Sequence, residues 1–277
     1  MIFLFIFWLE LKLTNSPELF TIFSIIKVDN IQAFSVLSIA LLYLLDTVES
    51  RRQRTIYEAW QVIDNAASMG VETSYARIKA LRDLNHYGVS LRGLDVPKAD
   101  LENINLKRAR LQQADLQQAN LERADLQGAD LQQANLERAI LSKTELQEAN
   151  LYQTELQEAN LHQAQLQGAN LRAAKLQAAN LREAQMQRAE LQRAQLQGAN
   201  LQGAQLQRVN LQGAQLQRAN LQGANLQGAQ LQGANLKEAN IEEAEVENAQ
   251  FIDNLGISLE KQAKLKQKGA IFPGTLG

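Results

Sequence analysis

The chain has 277 residues, a formal net charge of −2 at pH 7 and no cysteine. The lack of cysteine excludes disulfide bonds, thiolate zinc sites and cysteine nucleophiles. Residues 89–253 carry 16 basic and 20 acidic side chains, and neither flank has the strong basic excess of a phosphate-binding surface. The composition therefore argues against general nucleic-acid binding.

The first 48 residues are the only part of the chain with an apolar character typical of membrane segments. The run at 1–9 is too short to span a bilayer, and it lacks the basic start of a secretory signal. A second run at 31–45 is also shorter than the roughly 20 residues that a spanning helix needs. We nevertheless expect a membrane anchor around 31–45. The alternatives are a helix that lies in the membrane interface and a buried helix of a soluble core.

Basic residues predict the orientation of such an anchor. Three arginines follow the second apolar run: Arg51, Arg52 and Arg54. Under the positive-inside rule they would hold the carboxyl side of the anchor in the cytoplasm. We therefore expect localisation at a membrane, with residues 89–253 facing the cytoplasm.

Residues 49–88 are predicted to form a helical cap and linker. An amphipathic helix from about 47 to 68 would place Ile56, Ala59, Trp60 and Ile63 on one face and end before Gly70. We interpret the aromatic residues Tyr57 and Trp60 as core residues because they recur at helical spacing. The alternative is that they form a ligand-binding face.

A second helix is predicted from Ser74, as its N-cap, to about His86, with Gly88 beyond its end. Its apolar face comprises three residues: Ile78, Leu81 and Leu84. Both helices directly precede the next segment, whose open end needs to be covered.

Residues 89–253 repeat a five-residue unit without insertion or deletion, most often as Ala-Asn-Leu-Gln-Gly. The central residue is Leu in 28 of 33 units, and the residue two before it is Ala in 27 of 33. On an α-helix, Leu at every fifth residue would be distributed around the whole cylinder. On a flat strand, the odd spacing would place successive Leu residues on opposite faces.

A chain that turns in the same direction after every unit buries these residues together. In residues 199–203, Ala199 and Leu201 would point inward, Asn200 outward, and Gln202 and Gly203 would form the corner. Nine units carry Gly at the fifth position, where the absence of a Cβ eases a tight turn without being required.

The array resembles the pentapeptide repeat proteins, whose motif is Ala-(Asp/Asn)-Leu-x-x. The resemblance implies an all-β solenoid, a right-handed quadrilateral β-helix with four units per coil and about eight coils. On that register residue n lies over residue n+20, so one column collects five asparagines: Asn160, Asn180, Asn200, Asn220 and Asn240. Several units depart from the motif before the centre, and we expect looser turns there: Gln165, Gln185, Glu190, Gln195 and Gln205.

Residues 254–277 are predicted to cap the last coil with a short helix that starts at Ser258 and closes at Gly269. Its tip is basic and the preceding coil is acidic, because of two groups of residues: Lys261, Lys264, Lys266 and Lys268, and Glu242, Glu243, Glu245 and Glu247. We interpret both groups as solvated faces, with a charged docking surface as the alternative.

No constellation in the sequence predicts catalysis. His86 closes a helix and His162 occupies an outward turn, so the two histidines do not form a metal site by themselves. Four glutamates cluster in the sequence, but we expect them on solvated outer faces: Glu145, Glu148, Glu155 and Glu158. We therefore predict no catalytic, cofactor-binding or metal site, and no cofactor.

Two non-enzymatic functions remain. The first is a membrane-tethered scaffold that presents a rigid polar β-helix to an unknown protein partner, in an oligomeric state that the sequence leaves open. The second follows from the resemblance, since some pentapeptide repeat proteins mimic DNA and bind DNA gyrase. Mimicry requires a markedly acidic surface, whereas residues 89–253 carry a net charge of only −4. The scaffold is therefore preferred.

Overall fold

The computed structural model describes residues 31–272, with side chains described from residue 38 onward. The apolar run at 1–9 lies outside the described residues, so what was predicted for it stays a prediction. The chain divides into two compact units, residues 1–55 and 56–277.

Helix α1 spans Ile31–Ser68, a length of 38 residues. The division expected between residues 48 and 49 therefore falls inside a continuous helix. Residues 46–52 contain neither Gly nor Pro, and the change from apolar to charged side chains leaves the backbone hydrogen bonds of a helix intact. The composition shift marks a change of surface rather than an end of the element.

The first unit exposes apolar side chains along its described part of α1. Ile39, Tyr43, Leu44 and Val48 are between 59% and 70% exposed. Within residues 31–272, no helix is both long enough and apolar enough to cross a bilayer. The expectation of a transmembrane helix around 31–45 is thus not supported by this part of the chain.

The second unit begins with the predicted helical cap. The last turns of α1 bury Ala59 and Ile63 against the array. Helix α2 spans Tyr75–His86, and the Oγ of Ser74 accepts a hydrogen bond from the backbone N–H of Arg77 at 3.2 Å. Leu81 on its predicted apolar face is fully buried. The two predicted helices and the burial of Ala59, Ile63 and Leu81 are confirmed.

A buried arginine joins the cap to the array. Arg77 is 2% exposed, and its guanidinium donates to the backbone carbonyls of Val71 and Glu72. Burial lowers the pKa of this guanidinium. The same Glu72 carbonyl accepts a hydrogen bond from the Asp100 N–H at 2.8 Å. Arg77 therefore holds the loop between α1 and α2 in the position that the first coil requires.

The array has the predicted register. Parallel bridges join residues 20 positions apart throughout residues 95–255, so four five-residue units complete one turn of the chain. The Leu196 N–H donates to the Gln215 carbonyl at 2.7 Å, and the Asn200 N–H donates to the Ala179 carbonyl at 2.9 Å. Within the described residues these bridges are isolated and form no extended strand. The number of coils and their handedness stay predictions.

The interior of the array consists almost entirely of leucine and alanine, and these side chains are nearly all inaccessible to solvent. Two alanine positions carry threonine instead. The hydroxyls of Thr144 and Thr154 donate to the carbonyls of Leu121 and Leu131, each at 2.8 Å. A buried hydroxyl costs stability unless it is hydrogen-bonded, and here the preceding coil supplies the acceptor.

The carboxyl end is closed by helix α3, which spans Leu259–Gln267. The Oγ of Ser258 accepts a hydrogen bond from the Lys261 N–H at 3.2 Å, and Leu265 is buried against the array. Gly269 follows the helix with a φ of 84°, a conformation that glycine adopts at little cost. The predicted capping helix is confirmed.

Two lysines, one in α3 and one directly after it, bond carbonyls at the open edge of the last coil. Inside the array, the backbone carbonyl of each inward alanine accepts a hydrogen bond from an N–H of the next coil. The carbonyls of the last coil have no next coil to bond. Lys261 Nζ instead donates to the Ala239 carbonyl at 3.4 Å, and Lys268 Nζ donates to the Ala244 carbonyl at 3.3 Å. Two of the four lysines interpreted as a solvated face therefore cap backbone groups.

Candidate interaction surface

The corners of the array share one backbone conformation. In each turn the N–H of the next alanine donates to the central leucine carbonyl, as Ala199 does to Leu196 at 3.0 Å. The fifth residue of each unit has positive φ, 68° at Gly198 and 59° at Arg193. Positive φ costs roughly 1–2 kcal/mol for a residue with a Cβ, so the coil hydrogen bonds hold these residues in place. Glycine is therefore useful but not required, and the corners are free to carry long polar side chains.

Asparagine before the centre stabilises the turn that follows it. The Oδ1 of Asn200 accepts a hydrogen bond from the Gln202 N–H at 3.1 Å, which is the local bond that asparagine and aspartate make readily in turns. Where glutamine replaces asparagine at Gln205, its amide donates to the Gly203 carbonyl at 3.3 Å. The following turn still closes, and Arg208 keeps a φ of 57°. The turn at this unit therefore has the same geometry as the turns that follow asparagine, and looser order at such units stays a prediction.

The predicted asparagine column exists. Bridges join its members from Asn160 to Asn240 at every step. The Nδ2 of Asn180 donates to the Oδ1 of Asn160 at 2.9 Å, and Asn240 donates in the same way to Asn220 at 3.2 Å. One face of the array therefore presents a ladder of amides with fixed spacing.

Each of the two histidines makes a contact of its own. The Nδ1 of His162 lies 3.0 Å from the Arg182 carbonyl oxygen, and the ring of His86 packs edge-on against Tyr87 with centroids 5.5 Å apart. Among the described residues, no group of three potential ligands is suitably placed for a metal ion.

The two aromatic residues of α1 have separate environments. Trp60 is partly buried and packs against the core. Tyr57 is 65% exposed, and its hydroxyl accepts a hydrogen bond from the Gln61 amide at 3.0 Å. The core interpretation therefore holds for Trp60 and not for Tyr57.

The four glutamates of the sequence cluster are separated by the fold, and two of them form ion pairs with cations one coil away. Glu155 lies 2.5 Å from Lys175, and Glu158 lies 3.0 Å from Arg138. The hydrogen bond from Arg138, and then its charge, hold the pKa of the Glu158 carboxyl below its ordinary value. These contacts engage the carboxylates as surface ion pairs.

The charges of the array are segregated along its length. Residues 89–158 carry a net charge of −4, residues 159–235 a net charge of +5, and residues 236–253 a net charge of −5. We call residues 159–235 the basic belt. The average over the whole array concealed this belt, and counting charges coil by coil would have found it.

A groove of about 700 Å³ runs along one corner of the belt and beyond its carboxyl end. Arg188, Arg208 and glutamine amides from successive coils border this groove, and Glu247 lies at the end nearest the carboxyl terminus of the array. A Cβ placed on Gly228 would lie 3.4 Å from the Cγ of Arg208. The Arg208 side chain therefore lies along the column toward this glycine, whose missing side chain leaves the groove open.

The repeat also matches known proteins. The family model described as pentapeptide repeats matches in eight copies, which together extend over residues 87–253. No curated protein matches the chain.

Several solved structures are similar to it. HetL, a pentapeptide repeat protein involved in heterocyst differentiation regulation from the cyanobacterium Nostoc sp. strain PCC 7120, is 37% identical over 58% of this chain and 84% of its own, with a TM-score of 0.34. A pentapeptide repeat protein from the thylakoid lumen of Arabidopsis thaliana is 26% identical over 41% of this chain and 78% of its own, with a TM-score of 0.37. QnrB1, a plasmid-mediated fluoroquinolone resistance protein, is 18% identical over 65% of this chain and 99% of its own, with a TM-score of 0.46.

The family match covers more than half of the chain and coincides with the residues whose bridges repeat every 20 positions. The inward leucine and alanine, the turn after each centre and the polar outer faces all follow the motif of that family. The chain belongs to the pentapeptide repeat protein family.

Proposed function

We propose that the protein is a non-enzymatic scaffold, held at a membrane by its amino-terminal segment, that presents the outer faces of the array to a protein partner. The observation that carries this proposal is the division of side chains in the array. Leucine and alanine fill the interior, while glutamine, asparagine and charged residues occupy the faces and corners. A filled core and shallow, polar outer faces favour protein binding over chemistry, which needs convergent groups in a pocket.

The first unit supports the membrane part of the proposal. Apolar side chains of α1 are exposed at Ile39, Tyr43, Leu44 and Val48, and a helix with such a surface can lie in the interface of a bilayer. The arginines that follow at 51–54 favour a cytoplasmic side for the array. Tethering would concentrate the scaffold near partners at the same membrane.

Proximity labelling from the carboxyl terminus in the source cell tests the scaffold. The folded protein is expected to label specific neighbours that a Leu171→Lys control, whose array is expected to unfold, fails to label. Equal labelling by both proteins would contradict the scaffold. The tether has its own test: after alkaline carbonate extraction the full-length protein is expected in the membrane pellet, and recovery in the soluble fraction would contradict the tether alone.

A gyrase-directed function is the weaker candidate. A DNA mimic needs a continuous acidic surface, and in this array the basic belt interrupts the acidic ends. A supercoiling assay distinguishes the two functions, since a scaffold is expected to leave gyrase activity unchanged at micromolar concentration.

A further inference from the structure

Most cations of the basic belt have a carboxylate partner. Arg182 lies 3.1 Å from Glu183, and Arg218 lies 2.8 Å from Glu238. Lys175 is paired with a glutamate of the coil before it. Arg172 lies 4.0 Å from a carboxylate oxygen, the weakest of these contacts. The two acidic residues of the belt are therefore already engaged by its own cations.

Three arginines remain. Within residues 38–272, no carboxylate oxygen lies within 4.0 Å of Arg188, Arg193 or Arg208. Arg188 and Arg208 occupy the same corner one coil apart, since the Arg188 N–H donates to the Gln207 carbonyl at 3.0 Å. The backbones of Arg188 and Arg208 are therefore roughly 5 Å apart, the spacing of neighbouring strands, and the like charges that they carry on one corner repel each other. An anion between them would remove that repulsion and receive charge-assisted hydrogen bonds.

The acidic ends of the array limit the length of an anion that lies along the basic belt. The belt covers nearly four coils, or about 19 Å at the spacing of neighbouring strands. On the same corner, Glu148 lies two coils before Arg188, and Glu247 lies beside the groove's other end. An extended peptide rises about 3.3 Å per residue, so about six residues fill the belt. A nucleic-acid strand carries a charge on every nucleotide, and a strand longer than the belt would place phosphates beside acidic ends.

We infer that this groove binds a short acidic segment of the protein partner, about six residues long, with carboxylates on Arg188 and Arg208. The inference rests on the proposed scaffold function and names the chemistry of its partner. Arginine suits this role because its planar fork pairs with a carboxylate through two hydrogen bonds. The glutamine amides along the corner offer donors and acceptors to the backbone of the bound segment. Arg193, at the next corner of the same belt, adds to the attraction.

The test is fluorescence anisotropy of fluorescein-labelled hexaglutamate titrated with the full-length protein. We expect saturable binding that weakens as salt is raised. The double variant Arg188→Gln, Arg208→Gln should weaken binding at least tenfold, whereas the control Arg138→Gln should change it less than twofold. Glutamine already occupies this turn position at Gln163 with a φ of 57°, so these variants are expected to fold, which circular dichroism checks.

A charge reversal provides an independent test of the same groove. Glutamate occurs at the same turn position at Glu183, so the variant Arg188→Glu, Arg208→Glu should fold. It should lose hexaglutamate and gain hexalysine. Absence of binding by the native protein, binding that the double variants leave unchanged, or tighter binding of a hexathymidylate than of hexaglutamate would each overturn the acidic-peptide assignment.

Proximity labelling distinguishes failure of the groove assignment from failure of the proposed scaffold function. If the Arg188→Gln, Arg208→Gln variant labels the same neighbours in the cell as the native protein, the scaffold stands and the groove is not its binding surface. If the native protein labels nothing that the unfolded Leu171→Lys control does not label, the scaffold itself fails. Loss of particular neighbours in the double variant alone is the result expected for the groove.

Discussion

The middle of the array and its two ends satisfy the same backbone groups by different means. In the middle of the array, the same pattern of backbone hydrogen bonds joins each coil to the next. The contacts of one unit therefore predict those of its neighbours. At the ends there is no further coil to supply these hydrogen bonds, and individual side chains replace them. Arg77 orients the loop at the amino-terminal end. Lys261 and Lys268 donate to carbonyls of the last coils at the other end. A repeat therefore specifies its interior by rule and its termini by single residues.

The largest expected effect comes from a charge in the interior. Leu171 is fully buried, and a lysine there would place an unpaired ammonium in an apolar column. We expect Leu171→Lys to lose at least about 4 kcal/mol and to unfold the array. The control Gln202→Lys, on a corner, should shift the melting temperature by no more than about 2 °C. Similar melting temperatures in a circular dichroism scan would show that the interior is assigned incorrectly.

The next effect concerns the amino-terminal end. Arg77→Leu leaves the carbonyls of Val71 and Glu72 without their guanidinium donor, and we expect a loss of about 1.5–3 kcal/mol. Amide exchange at Asp100, which donates to Glu72, should accelerate, while exchange in the middle of the array should not. The control is Lys79→Gln on the exposed face of α2. If Asp100 exchanged no faster in Arg77→Leu than in this control, Arg77 would not orient the loop.

A smaller effect is expected where the interior itself departs from the rule. Thr154→Val keeps the shape of the side chain and removes the hydroxyl that donates to Leu131. The expected cost is about 1 kcal/mol, or roughly 2–4 °C in melting temperature. Leu131 also accepts from the Ala134 N–H, so its carbonyl keeps one bond. A variant as stable as the native protein would show that the buried hydroxyl contributes nothing.

The smallest effect belongs to the exposed ion pairs. Arg138 lowers the pKa of Glu158 by a hydrogen bond and by its charge. Because the folded pKa lies below the unfolded one, the pair stabilises the protein above the ordinary value of 4.5 and loses this contribution as the pH falls through the folded pKa. The difference in melting temperature between the native protein and Arg138→Gln should therefore be small at pH 7 and vanish in acid. A difference that grew in acid would contradict the assignment.

The sequence predicted the parts of the molecule that obey the repeat. The period predicts that Leu201 and Ala199 point inward, and the 20-residue register implied by the family resemblance aligns Asn160 with Asn180. Cap signals located α2 and α3 because Ser74 and Ser258 are strong N-cap residues followed by clear helical patterns. These features depend on local rules that each unit repeats.

The remaining features depend on which side chains meet across coils or at an end. Helix α1 continues through the predicted boundary between residues 48 and 49, because a change in composition does not break a helix that lacks Gly and Pro. The turn after Gln205 keeps the common geometry because coil hydrogen bonds, more than the residue before the centre, determine the corner. The groove of Arg188 and Arg208 was missed since an average over the array cancels a belt against its acidic ends.

The 20-residue register places every surface described above, and paired cysteines test it directly because the native chain has none. Asn200 and Asn220 are bridged neighbours on one face, whereas Gln215 lies on another face of the coil that follows Asn200. The double variant Asn200→Cys, Asn220→Cys should react rapidly with a short reagent that fluoresces only when it joins two thiols. The variant Asn200→Cys, Gln215→Cys should react far more slowly. Equal rates, or faster joining in the second variant, would contradict the register and the interaction surface built on it.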